Sequence, residues 1–269
     1  MIAGIGDNCI DHYLPPINLK FAGGNVVNLV VNLQKHGAQS VYIGTVGNDE
    51  NGKFIISSLR ELGIQTDYIR QVIGKTGVTK ISLENGDYVI KSEEYGVSNT
   101  YDLTDETIDF LKQNASLIHL SFTGKAIEIV PKIKDLKIPL SCDISYFYAK
   151  KNKELWQRLL PFLSYVFISV GSIKSEKEIY ELIREISSYG PKCITATRGA
   201  KGCIAFYENE FLSYHSLLSS KDVIDPLGAG DAFISGFLYS ALKSDKKLRE
   251  HVETGSRWAA EACSHFGAW

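Results

Sequence analysis

Hydrophobic and polar positions along this chain follow two alternating patterns, one typical of strands and the other typical of helices. Short β-rich apolar runs predict buried strands near residues 2–6, 41–46, 116–120, 138–142, 165–168 and 192–196. Apolar residues spaced three and four apart predict helices near residues 25–37, 51–62, 104–112, 126–134, 152–160, 175–188, 229–242 and 246–265. Strands that alternate with helices are typical of βαβ units. The pattern therefore predicts an α/β fold with a mostly parallel central sheet and helices on both faces.

Two segments interrupt this alternation of strands and helices, and their patterns predict a second, smaller sheet. Residues 76–83 alternate, a Glu-Asn-Gly-Asp turn follows at 84–87, and another strand-like run begins at Tyr88. An extended pattern also covers residues 9–21. We predict that segments at about 9–21 and 66–96 form a β lid over the carboxyl ends of the main strands, where open α/β sheets bind ligands. The alternative is a surface hairpin without a functional role.

Composition narrows the class of protein. The 269 residues, 44% hydrophobic and 22% charged, suit one large globular domain. A net charge of -2 argues against nucleic acid or an anionic membrane as a partner. No apolar run approaches the ~20 residues that span a bilayer, and no basic leader precedes the first strand. The five cysteines are scattered without a Cys-x-x-Cys pair, so we expect free thiols and a cytoplasmic location.

The most informative motif is Asp-Pro-Leu-Gly-Ala-Gly-Asp at residues 225–231, which leads into a helical pattern. The first amides of a helix lack internal acceptors and the helix dipole is positive there, so this turn suits a phosphoryl group in transfer. Asp231 is the candidate acceptor for the proton of an attacking hydroxyl. Asp225 is a candidate for positioning a hydrated metal ion. Taken alone, the motif is also consistent with an ordinary turn and a carboxylate cap.

Two stretches near the amino terminus carry candidate sugar ligands. Asp7 and Asp11 follow the first strand and can accept strong hydrogen bonds from hydroxyl groups. Gly24 and Asn25 open the next helix, and Asn28 lies one turn further along. Each stretch alone is also consistent with a solvated turn or a capped helix.

A strand, a glycine-containing turn and another strand occupy residues 194–203. Backbone amides of such a loop, together with Arg198 or Lys201, can bind the phosphates of a nucleotide. The alternative is a β-turn with exposed cations. The chain lacks a Walker A motif and a Gly-x-Gly-x-x-Gly after its first strand, which disfavours P-loop and hydride-transfer enzymes.

In their order along the chain, these motifs resemble those of the ribokinase-like, or PfkB, carbohydrate kinases. The matching elements span nearly the whole chain: the strand end at 6–11, Gly-Gly-Asn at 23–28 with Gly-x-x-Gly-x-Asp-x-x-Gly at 44–52, Thr-x-Gly-x-x-Gly at 197–202, and the signature at 225–231. The resemblance implies a single ribokinase-like domain over residues 1–269, with three layers and a β lid. It also implies ATP and Mg²⁺ as cofactors.

The resemblance further implies a role for each set of candidate residues. Asp231 would be the catalytic base, acting with an ordinary aspartate pKa, and Asp225 would act indirectly on the metal. The anion hole would consist of Gly228, Ala229 and Gly230. The sugar would lie beneath the lid against Asp7, Asp11, Gly24, Asn25 and Asn28. The nucleotide would contact Thr197, Gly199, Gly202, Gly228 and Gly230.

The short length and the residues at 5–11 and 265–269 look most like one branch of the family, the bacterial fructoselysine 6-kinases. That branch phosphorylates the sugar part of a glycated amine, so we expect γ-phosphoryl transfer to C6 of a fructosamine. Fructose, ribose and 2-keto-3-deoxygluconate are the alternative substrates within the family. The exposed edges of the lid are a candidate surface for a homodimer.

Two positions depart from the family pattern. Pro226 stands where the family usually has Thr, and Ser-Val-Gly-Ser at residues 169–172 replaces an Asn-x-x-Glu motif that organises the metal. Mg²⁺ bound through water and the phosphates of ATP is compatible with this loss, because Mg²⁺ needs few protein ligands. The departures also favour an alternative function, a sugar-binding sensor with weakened chemistry.

Overall fold

The computed structural model describes residues 1–84, 86–123, 125–145, 153–171, 173, 175–219, 222–243 and 247–269. Asn85 of the predicted hairpin turn, Ser172 of the replaced metal motif and the first residue of the helix predicted at 152–160 lie outside these ranges. Within them, no helix combines the length and the apolar character that crossing a membrane requires.

The described strands, in chain order, are β1 (Ile2–Ile5), β2 (Cys9–Tyr13), β3 (Lys20–Gly23), β4 (Ser40–Gly47), β5 (Ile69–Val72), β6 (Thr76–Glu84), β7 (Asp87–Gly96), β8 (Leu117–Ser121), β9 (Leu140–Asp143), β10 (Tyr165–Ser169), β11 (Cys193–Thr197), β12 (Cys203–Tyr207) and β13 (Glu210–Tyr214). The described helices are α1 (Asn25–Lys35), α2 (Glu50–Glu61), α3 (Asp105–Asn114), α4 (Ala126–Ile133), α5 (Lys153–Leu159), α6 (Glu176–Ser187), α7 (Ala229–Lys243) and α8 (Leu248–Ala262).

In the described part of the chain, the large sheet has nine strands in the order β13-β12-β11-β10-β9-β8-β1-β4-β5. Among the described strands, all neighbours from β11 to β5 in this order pair in parallel, whereas β11 with β12 and β12 with β13 pair antiparallel. Every residue of β1, β4 and β8 is buried, as expected for central parallel strands covered on both faces. The carboxyl ends of the parallel strands therefore meet along one edge of the sheet, which is where the candidate residues fall.

Side chains from alternate positions of the strands enter two separate cores. Ile5, Ile118 and Ile168 pack with residues of α3 to α6, whereas Ile2 and Phe167 pack with residues of α1, α2, α7 and α8. Because successive side chains of a strand point to opposite faces, this division places one helical layer on each side of the sheet. The three-layer α/β fold predicted from the sequence is confirmed.

Four described strands form the small sheet, in the order β3-β2-β6-β7, with β2 parallel to β6. It confirms a separate β lid next to the main sheet. One boundary of the predicted lid is wrong, because residues 69–72 form β5, which pairs with β4 in the large sheet. Ile69 is buried in the core beneath that sheet, so burial holds β5 there and the second lid segment begins at Thr76.

Candidate active site

The carboxyl ends of three parallel strands bring polar side chains together. Asp7 follows β1, Ser121 ends β8, and Asp143 ends β9. The Ser121 hydroxyl donates a hydrogen bond to Oδ1 of Asp7, and the backbone amide of Asn25 donates to Oδ2 of Asp7 at 3.2 Å. The sequence had indicated Asp7 but not Ser121 or Asp143. Their place at the ends of two predicted strands of the same parallel sheet is the signal that could have found them.

The start of α1 reaches the same corner through a close backbone approach. Gly24 precedes α1 with a φ of 105°, and a Cβ on it would lie 2.6 Å from the Cα of Asn8. The amide of Asn25, at the start of the helix, donates to Asp7 rather than remaining free. Gly24 and Asn25 therefore lie beside Asp7 and Asn8, and the hydrogen-bonding capacity of the Asn25 amide is used by the protein itself.

Asn28 and Asp231 join the two helices that flank the site. Asn28 donates from Nδ2 to Oδ2 of Asp231 at 2.8 Å, across the contact between α1 and α7. Asn28 is only 4% exposed, and its Oδ1 has no donor among the described residues. The carboxylate of Asp231 is thus held in one orientation, and the side chain that holds it retains a buried, unused acceptor.

The turn before α7 offers backbone donors beside Asp231. The amides of Gly228, Gly230 and Asp231 donate to no acceptor within the described part of the chain, whereas the Ala229 amide donates to the Pro226 carbonyl at 3.2 Å. The Ala229 amide is therefore not available to an anion hole, contrary to the expectation, because it closes the turn by binding the Pro226 carbonyl. Gly228 has a φ of 75°, and a Cβ there would lie 2.3 Å from the Cβ of Ala268.

Asp225 differs from its expected role near a metal. It is fully buried, and its Oδ2 accepts hydrogen bonds from the Tyr13 hydroxyl and, at 3.0 Å, from the Gly267 amide. Its Oδ1 accepts from the Leu227 amide, also at 3.0 Å. Because it has no surface from which to hold a hydrated ion, the geometry gives Asp225 a structural role in joining the lid, the turn and the carboxyl-terminal residues.

The loop after β11 is open around Gly199 and closely packed around Gly202. Thr197 ends β11, and Gly199 has a φ of 56° with nothing within 4 Å of an added Cβ. Gly202 has a φ of 83°, and a Cβ there would lie 2.0 Å from the Tyr214 carbonyl oxygen. Gly199 is therefore the accessible glycine of this loop, and Gly202 is required by its contact with β13.

Arg198 does not serve the nucleotide as the sequence suggested. Its guanidinium is buried, forms an ion pair with Glu176 and donates to the Lys201 carbonyl at 3.1 Å. Arg198 therefore fixes the shape of the loop. Lys201 is exposed and remains the cation of this loop that can reach a phosphate.

The carboxylates of the site carry perturbed pKa values. Burial raises the pKa of Asp11 to about 7 and that of Asp143 to about 6. Burial also raises the pKa of Asp7, and it raises the pKa of Asp231 well above its ordinary value, with Asp143, Asp7 and Asp11 adding to the effect. The expectation of an ordinary pKa for Asp231 is thus wrong. A raised pKa makes it a stronger proton acceptor once it is ionised.

These carboxylates have no cationic partner in the described protein. None of Asp7, Asp11, Asp143 and Asp231 forms an ion pair with a described residue. Asp11 is 4% exposed, and the hydrogen bond assigned to it is a weak one from the Cys9 thiol at 3.3 Å. Buried carboxylates are stable only when donors or cations compensate them, so this site suits a ligand rich in hydroxyl groups or positive charge.

A metal centre held by protein side chains does not fit the described residues. No three His, Cys, Asp or Glu side chains among them converge closely enough to hold an ion. In the replaced family motif, Ser169 and Gly171 are exposed and supply no carboxylate.

Comparison with known proteins agrees with this geometry. A model of the pfkB family carbohydrate kinases matches residues 17–133 and 153–269. The fructosamine kinase FrlD of Bacillus subtilis is 33% identical over 275 residues, covering 100% of this chain and 92% of that protein. The fructoselysine 6-kinase of Escherichia coli is 31% identical over 269 residues, covering 100% and 99%.

A solved structure with the same fold is the ribokinase of Arabidopsis thaliana complexed with ribose and ATP. It has a TM-score of 0.84 at 20% identity and covers 99% of this chain and 93% of its own. The fold, the motifs and the family match agree over nearly the whole sequence. The chain belongs to the pfkB family of carbohydrate kinases.

Proposed function

We propose that this carbohydrate kinase transfers the γ-phosphoryl group of ATP to the C6 hydroxyl of a fructosamine. The observation that carries the proposal is the cluster of four carboxylates that form no ion pair with a described residue, Asp7, Asp11, Asp143 and Asp231, beside the acceptor-free amides that begin α7. The names of the relatives from Bacillus subtilis and Escherichia coli, which align with the full length of this chain, point to the same class of substrate.

The charge of the site distinguishes among the candidate sugars. A fructosamine carries a protonated secondary amine next to its sugar, and this cation would offset the buried carboxylates. A sugar acid such as 2-keto-3-deoxygluconate would bring another negative charge into the same space, which is unfavourable at short range. Fructose and ribose are neutral and supply hydroxyl donors but no cation. Electrostatics therefore favours the glycated amine.

The sugar would be held by acceptors at the strand ends and on α1. Asp7 and Asp11 would accept hydrogen bonds from hydroxyl groups, and Gly24 with Asn25 would form the wall between them. Asn28 would accept from the sugar through the buried Oδ1 that has no donor in the described protein. Filling an unsatisfied buried acceptor removes a penalty of about 1–3 kcal/mol, which would contribute to binding.

The reaction would take place between Asp231 and the turn before α7. Asp231 would accept the proton of the C6 hydroxyl as that oxygen bonds to the γ-phosphorus and the bond from phosphorus to the departing ADP oxygen breaks. The amides of Gly228, Gly230 and Asp231 would donate to the equatorial oxygens of the phosphoryl group. Each donor of this kind is worth roughly 3–4 kcal/mol in comparable sites.

The nucleotide itself would lie along the loop that follows β11. Thr197, Gly199 and the exposed Lys201 would contact it, with Gly202 and Arg198 keeping the loop in shape. Because no described cluster of side chains fits a metal ion, Mg²⁺ would be bound by the phosphates of ATP and water rather than by this chain.

A substrate panel with an ADP-release assay tests the proposal. Fructoselysine, fructose, ribose and 2-keto-3-deoxygluconate are compared at equal ATP and Mg²⁺, and we expect the highest kcat/KM for fructoselysine. A higher kcat/KM for any of the other sugars contradicts the assignment. Sugar binding without ADP release from every substrate would instead indicate the sensor function.

A further inference from the structure

One row of residues crosses the lid from the site to its outer strand. Asp11 of β2 lies opposite Thr79 of β6, and Thr79 lies opposite Glu93 of β7. Directly opposed residues of neighbouring strands place their side chains on the same face of a sheet. Asp11, Thr79 and Glu93 therefore share one face of the lid, and it is the face that carries the buried Asp11 into the site.

The carboxylate of Glu93 is turned toward this site. The Tyr95 hydroxyl donates to its Oε2 at 2.9 Å. The charge of Glu93 contributes to the raised pKa values of both Asp11 and Asp7, which requires it to lie near them. Glu93 is exposed and forms no ion pair with a described residue.

The adjacent Glu94 provides a natural contrast. It lies opposite Val78, and because side chains alternate along a strand, it points to the other face of the lid. Glu93 and Glu94 are thus identical side chains on the same strand, but Glu93 lies on the face of the lid toward the site and Glu94 on the opposite face.

Two further observations indicate that a ligand belongs next to this row. Only 4% of Asp11 is exposed, and the donor to its carboxylate among the described residues is the Cys9 thiol. Asn28 has a buried side-chain oxygen without a donor among the described residues, and its amide group donates to Asp231. Burial and the charge of Asp231 both raise the pKa of the lid residue Tyr88, so Asp231 lies near the lid. The acidic side chain of Glu93, the buried carboxylate of Asp11 and the donor-free oxygen of Asn28 all favour the same kind of ligand. Such a ligand carries several hydroxyl groups and a positive charge.

We infer that Glu93 binds the ammonium group at the far end of the amine part of the substrate, and so selects fructosamines derived from a diamine or from lysine. This inference rests on the proposed function. Asp11 and Glu93 are two strands apart, a distance of about 9–10 Å between backbones. The sugar-linked nitrogen and the distal ammonium of a fructosyl-lysine are six bonds apart, roughly 7–8 Å when extended. The spacing of the two carboxylates is comparable with the spacing of the two cations.

The lid also offers an apolar contact for the chain between those cations. Ile90 is opposite Ile81, which alternates with Thr79 along β6, so Ile90 is on the same face as Glu93. It is 49% exposed, so its side chain is accessible to a ligand on this face of the lid. Methylene groups of the substrate would cover it.

The test compares two variants with two substrates. Wild type, Glu93→Gln and Glu94→Gln are assayed by ADP release with fructoselysine and with fructosyl-6-aminohexanoate, which keeps the aliphatic chain and the carboxylate of fructoselysine but has no distal ammonium. For Glu93→Gln we expect KM for fructoselysine to rise roughly 10-fold with kcat changed less than about twofold, because a charge-assisted contact to bound substrate is lost. In Glu93→Gln the preference for fructoselysine over fructosyl-6-aminohexanoate should fall, whereas Glu94→Gln should keep the wild-type preference.

The outcomes separate this inference from the function on which it rests. If Glu93→Gln keeps the wild-type ratio of the two kcat/KM values, or if Glu94→Gln loses as much, the role of Glu93 is wrong while the fructosamine kinase activity stands. If wild type phosphorylates neither fructosamine, the proposed function fails and this inference fails with it. Raising the salt concentration should reduce the wild-type preference and leave Glu93→Gln nearly unchanged, since an exposed ion pair is screened.

Discussion

Tyr13 of the lid donates a hydrogen bond to Asp225, the buried residue that begins the turn leading into α7. The same carboxylate accepts from the Gly267 amide, and the ring of Phe266 packs edge-on against Tyr13 with centroids 6.3 Å apart. One buried carboxylate therefore connects the lid, the anion-binding turn and the carboxyl-terminal residues. The position of the lid strand β2 and the shape of the turn cannot change independently.

Replacing Tyr13 with Phe should lower stability through this connection. The substitution removes one donor from a fully buried carboxylate, at a cost of about 1–3 kcal/mol, and each kcal/mol corresponds to roughly 2–4 °C in Tm for a chain of this size. Thermal unfolding checks it. Tyr68→Phe is the matched control, because the Tyr68 hydroxyl has no hydrogen bond to a described residue while its ring stacks on Phe110. Equal Tm values for the two variants would contradict the role of Asp225.

Replacing Asp231 with Asn should abolish the proton acceptor without disturbing the fold. An amide can still accept the hydrogen bond from Asn28 through its oxygen, so we expect normal binding of ATP. The Tm near neutral pH should be equal to or higher than that of wild type, because the amide replaces a carboxylate whose pKa is raised by burial. Positioned acid–base groups contribute about 10²–10⁴-fold to rate, and kcat should fall within that range. The exposed Asp109→Asn on α3 serves as the control. Turnover of Asp231→Asn within a few-fold of wild type would remove Asp231 from its role.

Two glycines with the same backbone conformation allow the turn to be tested. Gly228 and Gly37 have φ values of 75° and 76°, but a Cβ would collide with Ala268 at Gly228 and meet nothing within 4 Å at Gly37. Alanine at either position incurs the left-handed strain of about 1–2 kcal/mol. Gly228→Ala should lose more stability than Gly37→Ala and should also lose kcat/KM, because the collision displaces the amides beside Asp231. Chemical denaturation and the ADP-release assay measure both effects, and similar losses in the two variants would contradict the required contact.

The sequence predicted the elements of this fold better than their contacts. The hydrophobic periodicity of residues 165–168 or 175–188 is a local property, so it predicts a strand or a helix without information about which elements pack against it. β5 was misplaced because Arg70 and Gln71 make it as polar as a lid strand, and only the burial of Ile69 beneath the large sheet assigns it. A short strand carries too little pattern to reveal which sheet it joins.

The sequence indicated those candidate residues that belong to a motif, and it did not indicate those whose place depends on tertiary packing. The glycines and Asp231 form a recognisable signature, whereas Asp143 is a single carboxylate after a strand and resembles any turn residue. The donors to Asp225 include Tyr13, which is 212 residues distant along the chain, so its structural role depends on tertiary packing alone. A pKa raised by burial is likewise a property of the folded state.

The raised pKa of Asp11 predicts how stability depends on pH. Burial raises this pKa from 3.8 to about 7, so between these values the folded protein binds a proton that the unfolded chain has lost. The free energy of unfolding should therefore fall as pH rises from about 4 to about 7 and level off above that, with a change on the order of a few kcal/mol. Asp143, with a pKa raised to about 6, acts in the same direction.

Asp11→Asn isolates this effect, because an amide does not titrate and other groups contribute equally to both proteins. We expect the Tm of wild type to decrease more than that of Asp11→Asn between pH 4.5 and pH 8, and the variant to be the more stable protein at pH 8. Fructoselysine at saturating concentration should reduce the difference, since a bound cation and hydroxyl donors would compensate the carboxylate. Parallel Tm profiles of the two proteins across this pH range would show that Asp11 is compensated within the protein and would remove it from the candidate ligands of the sugar.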